Sequence, residues 1–597
     1  MHVITVGSII ERARKEQKAI SQKTLIQGIC SIQTLYAIET NQYKTDILLV
    51  DILLQRLGKS PDKLEIILSQ EAYQLVRQRD LIEEAILRGR KALAAAALEA
   101  YPAQNNVNQM YQKRMQACLS YRIDNDHGQA AELMRHAIEL TLPDFSYEKI
   151  EDYLISTVEM ENLLALEHVQ CTRAAQSNLQ PDTRHLELCM QYIDDHFTDS
   201  EEHAKICAKC AWLLAKAYLD QGQAAHAMVI CEKGINELRS HTMIYFMLPL
   251  LELMVQIGTR LGMAPEQNRY VKYLESLRFV WNSYAQPWYP TDMLLHNCYQ
   301  KEYHLDHELI KSERTARKLS QQELSAGIYK NVSSFSNFEK AKVAPNRKTI
   351  EKLMEKLNIE RGLYNGFVTT DSFEVMELRH QLNIALAHDE YRKAKDLLDQ
   401  LRSQLDTAIA GNRYVLEDAE ILIDRKLQKI TAEAALERQR KLFESLLDTK
   451  KEKLRHIPMR NEVLIINHYC GILIGSGQKN KAADLYTQTI GQLRRSHIDV
   501  RYRYRSFSLL LCNYVYCRRD HSTVCEVLRN ELFCGKSSVL SFCLIDLLHI
   551  WGKEEKSDQK CMKLSESIYY ISDLYNFINE KKKFDDFLLK KGVKTIR

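Results

Sequence analysis

The sequence predicts an all-α protein in which two helix-turn-helix domains are each followed by an α-solenoid. Glycine and proline are scarce in the 597 residues, at 20 and 10, which disfavours turn-rich β classes and favours helices with short connections. A helix-turn-helix pattern occurs twice, near Ser21 and again near Ser320. Long helical stretches with repeat character follow both copies. This duplication suggests a chain that carries both halves of a dimer.

Changes of pattern divide the chain into five parts. We predict helix-turn-helix domains at 1–68 (head 1) and 307–368 (head 2), helical arrays at 69–285 (array 1) and 369–597 (array 2), and a linker at 286–306. Pro287 and Pro290 break any helix at the start of that linker.

Composition favours a cytoplasmic protein without a membrane segment. The net charge of +4 is small for this length, so any surface that binds nucleic acid has to be a local patch of positive charge. The first residues lack the apolar core of a signal peptide. The most apolar stretch, 242–257, contains Pro249 and Glu252 and is short for a membrane span. The spacing of the fifteen cysteines indicates no disulfide framework. We therefore expect reduced, buried thiols, including the CxxC pair Cys207 and Cys210.

Head 1 shows the capping and core pattern of three successive helices. Ser21 is a suitable N-cap for the second helix because its hydroxyl can accept a backbone N–H, and Gly28 lies in the turn. Apolar residues at helical spacing are predicted to close the core: Leu25, Ile29, Leu35 and Ile38. The start of the third helix is left for base edges in a major groove, with these candidates: Ser31, Ile32, Gln33 and Thr34.

Head 2 repeats this logic about 300 residues later. Ser320 is the predicted cap of the second helix, and a further amphipathic helix is predicted from Thr349 to Leu357. The predicted core residues are Leu324, Ile328, Phe335 and Phe338. The candidates for groove contact are Asn331, Ser333, Ser334 and Asn337.

Both heads resemble the Xre-type repressor fold, which places a glutamine at the start of helix 2 and a glutamate at the end of helix 3. Gln22 and Gln321 match the glutamine that contacts phosphate in that family, and Glu39 and Glu339 match the terminal glutamate. A double-stranded DNA partner is what this resemblance implies.

The first copy has a turn one residue shorter, a version that resembles the Rgg/PlcR family of peptide-sensing transcriptional regulators. Both copies depart from the family just after the glutamate, where glycine is usual. The residues there are Asn41 and Ala341, and a left-handed backbone is tolerated less readily by alanine than by asparagine.

Local charge differs between the heads. Residues 7–44 contain six basic and three acidic residues, a local charge of +3. Residues 309–348 contain nine basic and three acidic residues, a local charge of +6. Because phosphate neutralisation supplies most nonspecific affinity, head 2 is expected to bind DNA more strongly.

The arrays carry small residues at positions typical of tetratricopeptide (TPR) units, so we expect TPR-like solenoids of four or five units each. Three sets fit that spacing: Tyr121, Ala130, Met134 and Ala137; Tyr218, Ala227, Cys231 and Gly234; and Leu473, Ala482, Tyr486 and Thr489. Gly222 and Gly477 fall between paired helices. The halves align with an offset of 300 at Arg79 and Arg379 but 255 at the later glycines. Array 2 is therefore predicted to be one unit shorter between those points.

A peptide site is implied by the family resemblance, since in that family the solenoid receives a short signalling peptide, often through asparagines. The candidates on array helices are Asn383, Asn467 and Asn513, with exposed or internally bonded amides as the alternative. The basic run at 501–505 is either an anion contact or the solvated face of a helix with buried tyrosines, and we favour the second. Phosphate-binding glycine loops, HExxH, GxSxG and paired cysteine ligands do not occur, so no catalytic, cofactor or metal site is predicted.

Two functions remain open at this stage. The first is a cytoplasmic DNA-binding transcriptional regulator whose arrays sense a peptide or a partner protein. The second is a TPR adaptor or inhibitor whose helix-turn-helix heads no longer bind DNA. A homodimer that uses one head from each chain also stays open.

Overall fold

The protein is described by a computed structural model. It describes residues 5–17, 20–40, 46–264, 268–285, 293–295, 301–357, 364–366, 368–387, 389–448, 453–454, 457–518, 520–536, 539–553, 558–577, 581–582 and 584. The described chain is predominantly α-helical, as the sequence predicts. None of the described helices is both long and apolar enough to cross a membrane.

The first half contains head 1 and array 1. Head 1 comprises α1 (Val6–Glu16), α2 (Gln22–Leu25), α3 (Ile32–Glu39), α4 (Ile47–Arg56), a 3-10 helix (Pro61–Lys63) and strand β1 (Leu64–Leu68). Array 1 comprises α5 (Gln70–Leu87), α6 (Lys91–Glu99), α7 (Asn106–Arg122), α8 (His127–Thr141), a 3-10 helix (Tyr147–Asp152), α9 (Thr157–Gln176), α10 (Arg184–His196), α11 (Ser200–Asp220), α12 (Ala224–Ser240), α13 (Met247–Arg260) and α14 (Arg269–Tyr284).

The second half repeats this order. Head 2 comprises β2 (Glu302–Leu305), α15 (Asp306–Ala316), α16 (Gln321–Ser325), α17 (Val332–Glu339), α18 (Arg347–Lys356) and β3 (Tyr364–Gly366). Array 2 comprises α19 (Phe373–Ala387), α20 (Tyr391–Gln404), α21 (Ala410–Lys426), α22 (Ala432–Glu444), β4 (Leu447–Asp448), β5 (Lys453–Leu454), α23 (Arg460–Gly475), α24 (Lys479–Leu493), a 3-10 helix (Val500–Arg503), α25 (Tyr504–Arg518), α26 (His521–Cys534), α27 (Leu540–Lys553) and α28 (Asp558–Leu574).

A small sheet joins the two heads, a feature that the sequence did not predict. Strand β1 pairs in parallel with β2 and antiparallel with β3, while β4 and β5 form a separate hairpin in array 2. Side chains alternate between the faces of a strand. Leu64, Ile66 and Leu68 accordingly belong to the core of head 1, while Ile67 belongs to the core of head 2. The sheet is therefore a layer between the heads, and its strand β2 lies within the predicted linker 286–306.

The arrays are built from consecutive helix pairs, and the predicted small residues lie where those helices cross. Ala130 and Ala227 are fully buried, and a Cβ added at Gly234 would lie 2.9 Å from the Cβ of Ala211. Gly222 has a positive φ of 79° in the turn between α11 and α12. The predicted crossing positions are thus confirmed as close helix contacts.

Array 2 has one helix pair fewer than array 1 between the aligned points, as predicted, but one pair more after them. Arg79 on α5 and the turn after α11 are separated by one more helix pair than Arg379 on α19 and the turn after α23. Array 2 then continues with two further pairs after α24, whereas array 1 ends with α14. The expectation of unequal arrays is therefore wrong for the described helices, because both arrays contain five pairs.

The two arrays also pack against each other through their C-terminal helices. The guanidinium of Arg269 and the hydroxyl of Tyr273 on α14 both contact the carboxylate of Asp573 on α28, the latter at 2.6 Å. Backbone N–H groups of Ile244 and Tyr245 donate to the carbonyl of Gly535 at 2.8 and 3.1 Å. These contacts join the halves of one chain in the manner of a dimer.

Candidate DNA interface

The start of α3 is exposed as the sequence predicts. The hydroxyl of Ser31 caps the helix by accepting the backbone N–H of Thr34 at 3.1 Å. Ile32 is 48% exposed and Gln33 is also exposed, whereas Leu35 and the other core residues of the head are buried. Tyr36, which is not among the predicted contact residues, is 58% exposed on the same face. Its position one turn after Ile32 is the signal that could have identified it.

The corresponding face of α17 is more polar and internally bonded. The side-chain oxygen of Asn331 accepts the backbone N–H of Ser334 at 2.9 Å, its hydroxyl at 2.7 Å and the hydroxyl of Ser333 at 2.9 Å. Any base contact by Asn331 therefore has to use its amide N–H groups. Val332 and Ser333 are exposed, and Asn337 is half-buried.

A buried glutamate ties the three helices of each head together. In head 1, Arg14 Nε donates to Glu39 Oε1 at 2.8 Å, and Gln22 Nε2 donates to Glu39 Oε2 at 3.1 Å. In head 2, Arg314 donates in the same way to Glu339 at 2.6 Å and Gln321 does so at 2.6 Å. Each glutamine is thus oriented at the N-terminus of its helix, and its phosphate contact stays a prediction. The arginines were missed by the sequence analysis, although both stand 25 residues before their glutamate.

Residues in the turns of both heads adopt a left-handed backbone conformation. Gly28 has a φ of +76° and Gly327 a φ of +75°. Ala341, just after helix 3 of head 2, has a φ of +57°. An L-residue with a side chain costs about 1–2 kcal/mol in that region, so Ala341 is strained. Asn41, its counterpart in head 1, lies outside the described residues.

Head 1 is clamped to array 1 at its helix-turn-helix turn. A Cβ on Gly28 would lie 2.3 Å from the carbonyl oxygen of Thr141, so the turn touches the end of α8 directly. Arg56 Nη1 donates to the carbonyls of Leu25 and Gln27 at 3.0 and 2.8 Å. The other end of the guanidinium forms a buried ion pair with Glu159 of α9 at 2.5 Å.

The turn of head 2 carries no such clamp among the described residues. Within that part of the chain, nothing lies within 4 Å of a Cβ built on Gly327. Lys356, which stands 300 residues after Arg56, donates to the carbonyls of Glu323 and Ala326 at 2.6 and 3.0 Å. It closes the turn within the head, and its side chain is exposed.

More unpaired basic side chains are exposed near α17 than near α3 in the described chain. Arg12 and Lys15 of head 1 are engaged by Glu16 and Glu11 at 2.8 and 2.6 Å. In head 2 several exposed lysines flank α17 within the described chain: Lys330, Lys340, Lys342 and Lys348. The cationic surface suited to phosphate contact therefore lies mainly on head 2.

Two of the three candidate peptide asparagines come together in array 2. Asn513 Nδ2 donates to Asn467 Oδ1 at 2.9 Å, and the hydroxyl of Tyr486 donates to the same oxygen at 3.0 Å. Both amides are half-buried. Asn383 is engaged separately, by Arg379 on its own helix. The alternative of internally bonded amides thus describes all three in this structure, and peptide contact stays a prediction.

The basic run at 501–505 is neither an anion contact nor a solvated face. Arg501 forms ion pairs with Asp499 and with Asp80 of α5 at 3.0 and 3.2 Å. Arg503 is buried, and Arg505 lies 3.5 Å from Glu201 of array 1. The favoured interpretation is wrong about the arginines, which face other elements of the chain, although Tyr502 is buried as expected.

One group of described residues has the spacing of metal ligands. Potential ligand atoms of His307, Glu308 and His497 lie within 4.8 Å of one another. Glu308 Oε1 lies 2.6 Å from His497 Nδ1, and Oε2 accepts the hydroxyl of Ser496 at 2.7 Å. These bonds hold the segment after α24 against α15, a role that requires no ion.

No family model matches the chain, and neither does any curated protein sequence. Several solved structures match part of it, among them the following three. PlcR of Bacillus thuringiensis in complex with the peptide PapR7 and DNA is 16% identical, with a TM-score of 0.32 and coverage of 46% of this chain and 96% of that chain. Its apo form is 14% identical, with a TM-score of 0.30 and coverage of 46% and 98%. The apo form of the competence regulator ComR from Streptococcus vestibularis is 14% identical, with a TM-score of 0.30 and coverage of 48% and 98%. At these values the likeness adds no argument about function.

Proposed function

We propose that the protein is a cytoplasmic transcriptional regulator that binds double-stranded DNA through two unequal heads. The observation that supports this most is the repeated exposure of the start of α3 and α17 above a helix-turn-helix core. The first residues of a recognition helix are those that meet base edges in the major groove.

The two heads should prefer different sequences. Gln33 can pair with both hydrogen-bonding positions of adenine, while exposed Ile32 can contact a thymine methyl group. Head 2 offers Ser333 and Asn337 instead, with more lysines for the backbone. Because a sheet joins the heads, we expect one asymmetric site with half-sites about 34 Å apart, or one helical turn.

Selection of bound sequences from a random DNA library, using the full chain, tests this proposal. We expect an asymmetric site whose affinity falls steeply with salt, since several counterions are released. A perfect palindrome would instead favour a homodimer using one head from each chain. Failure to bind selected or genomic DNA at low salt would overturn the proposal in favour of the adaptor.

Two substitutions separate base contact from phosphate contact. Gln33→Ala should change the preferred base at one position, costing about 1–3 kcal/mol on the wild-type site. Gln22→Ala should weaken binding to all sequences alike. Gln74→Ala, at an exposed position on α5 of array 1, is the matched control and should change neither property.

We also propose that the arrays respond to a peptide, which would alter the placement of the heads. Solenoids of paired helices present extended surfaces suited to such ligands. In array 2, exchange of the bond between Asn467 and Asn513 for bonds to a peptide backbone would supply this contact. If so, Asn467→Ala should abolish any peptide effect on DNA affinity without changing affinity in the absence of peptide.

A further inference from the structure

Three residues between array 1 and head 2 are buried in array 1. Met293, Leu294 and Leu295 belong to the same hydrophobic core as the array helices, and Leu295 is fully buried. They fall within the predicted linker, and strand β2 of head 2 begins seven residues after Leu295. This short segment therefore connects the interior of array 1 to the entrance of head 2.

Side chains of array 1 bind the backbone carbonyl groups of this segment. The carbonyl oxygen of Leu294 accepts Nε and Nη2 of Arg114 at 3.1 and 2.8 Å. It also lies 3.7 Å from the thiol of Cys118. The carbonyl oxygen of Leu295 accepts Nζ of Lys209 at 2.9 Å. Two successive carbonyls are thus bound by two cationic side chains, while the leucine side chains of the same residues are buried in the core of the array.

A single carboxylate holds both cations in place. Glu161 Oε2 lies 3.1 Å from Arg114 Nη2, and Glu161 Oε1 lies 3.0 Å from Lys209 Nζ. All three side chains are at most 5% exposed. Burial lowers the pKa of Lys209, as expected for an ammonium removed from water. Two buried cations share one anion, so they need further oxygen acceptors, which the carbonyls provide.

The cluster lies along successive units of the solenoid. Arg114, Glu161 and Lys209 stand on α7, α9 and α11, the first helices of three consecutive pairs. First helices of successive pairs line one face of a solenoid, the kind of surface that takes an extended peptide. Asn162, next to Glu161, is 1% exposed, and neither polar atom of its amide has a hydrogen-bond partner in the described chain.

We propose that array 1 contains a site for an extended apolar peptide and that residues 293–295 of the same chain are its resident ligand. The inference rests on the peptide response proposed above and deepens it. A free peptide with adjacent leucines would compete with the resident segment for Arg114 and Lys209. Its binding would release the chain that leads into β2, which pairs with β1 between the heads.

The test uses a fluorescent peptide of the sequence TDMLLHN, residues 291–297, and anisotropy with the full-length chain. We expect weak binding to the wild type, because the site is occupied. Leu294→Ser combined with Leu295→Ser should empty the site and increase affinity at least 10-fold. A peptide with both leucines replaced by serine is the ligand control and should bind neither protein.

Substitutions of Arg114 in the double-serine variant identify the site. Arg114→Ala should abolish the gained binding. Arg114→Lys should reduce it less, because lysine keeps the ion pair with Glu161 but cannot place two N–H groups on one carbonyl. Arg122→Ala, an exposed position on the same helix α7, is the matched control and should leave the gained affinity unchanged.

Two outcomes would overturn the inference: equal peptide affinity of wild type and the double-serine variant, or gained binding that survives Arg114→Ala. Circular dichroism melts of each variant establish that it is folded, and Arg114→Lys supplies the answer should Arg114→Ala unfold. DNA binding by the same proteins is measured separately. If none of these proteins binds DNA, the proposed regulator function is wrong, but the proposed peptide site is not affected.

Discussion

The two heads have the same internal structure but different attachments. Each is closed by an arginine and a glutamine on a buried glutamate, with matching exposure of its third helix. Head 1 is fixed to array 1 through Gly28 and Arg56, whereas Gly327 and Lys356 make no corresponding contact with the described residues of either array. A few matched positions therefore decide whether the turn of the same module docks onto its array.

A second matched pair shows the same difference. Arg79 of α5 donates to Asp46 Oδ2 at 2.6 Å, which fixes array 1 to the cap of α4. The counterparts 300 residues later are Arg379 and Asn346, and Arg379 donates instead to Asn383 on its own helix. Burial lowers the pKa of Arg379 to about 10. Without a carboxylate at the cap of α18, this bond between head and array cannot form.

Head 1 is also contacted by array 2, which adds to its attachment. Phe373 and Met376 of α19 belong to the hydrophobic core of head 1. Lys63 bridges Asp199 of array 1 and Glu377 of array 2, both at 2.5 Å. Head 1 is therefore held by both arrays, whereas head 2 is held at α15 by the segment after α24 and through the shared sheet, and its turn is undocked among the described residues.

The largest predicted effect follows from breaking the clamp of head 1. Arg56→Met leaves the carboxylate of Glu159 buried without its partner, which should cost about 3–5 kcal/mol. Lys356→Met should cost about 1 kcal/mol, because Lys356 is exposed and only caps carbonyls. Hydrogen exchange of α2 and α16 amides measures both changes locally. Similar losses in the two heads would contradict the comparison.

The next effect concerns the turn glycines. Gly28→Ala combines left-handed strain with a clash at the Thr141 carbonyl, so head 1 should lose about 3 kcal/mol and separate from α8. Gly327→Ala should cost only the strain, about 1–2 kcal/mol. Limited proteolysis of the turns under identical conditions compares them. A smaller increase in the cleavage rate of the turn for Gly28→Ala than for Gly327→Ala, each relative to the wild type, would argue against docking.

The sheet between the heads should respond to pH through Glu302. Burial raises the pKa of this carboxyl to about 7, well above the usual 4.5. Its proton is therefore held more tightly in the folded protein, and stability falls as pH rises from 4.5 to 7, by about 3 kcal/mol. Glu302→Gln should flatten this part of the profile and raise the melting temperature at pH 8. If the melting temperatures of both proteins change in parallel from pH 5 to 8, this role of Glu302 is ruled out.

The smallest effect is a gain in head 2. Ala341→Gly relieves a positive φ and should stabilise this head by about 1 kcal/mol, partly offset by the greater freedom of glycine in the unfolded chain. Ala326→Gly is the control; its φ of −57° gives no such strain to relieve, so it should not stabilise. Exchange rates of α17 amides report the difference, and an unchanged rate for Ala341→Gly would show that the strain is absorbed elsewhere.

The helix-turn-helix cores were predictable because their signals are local. Ser21, Ser31 and Ser320 cap helices as expected, and the apolar spacing identified Leu35 and Phe335 as core residues. The phosphate and base contacts themselves remain predictions.

The remaining features depend on partners far along the chain. Strand β1 is a short apolar run that does not alternate, and its partners β2 and β3 are hundreds of residues away. Arg56 and Lys356 carry the same charge, so only the position of Glu159 reveals their different roles. The mutual bond of Asn467 and Asn513 likewise depends on side-chain orientation that helical periodicity leaves open.

The sheet has a consequence for synthesis of the chain. Strand β2 begins more than 230 residues after β1 ends, and β3 comes later still. At about 5–20 residues per second, the ribosome takes roughly 10–50 s to supply the first partner. During that interval the apolar sequence LEIIL presents open strand edges, which are prone to aggregation. We therefore expect the nascent first half to aggregate more readily than the complete chain until the second half emerges.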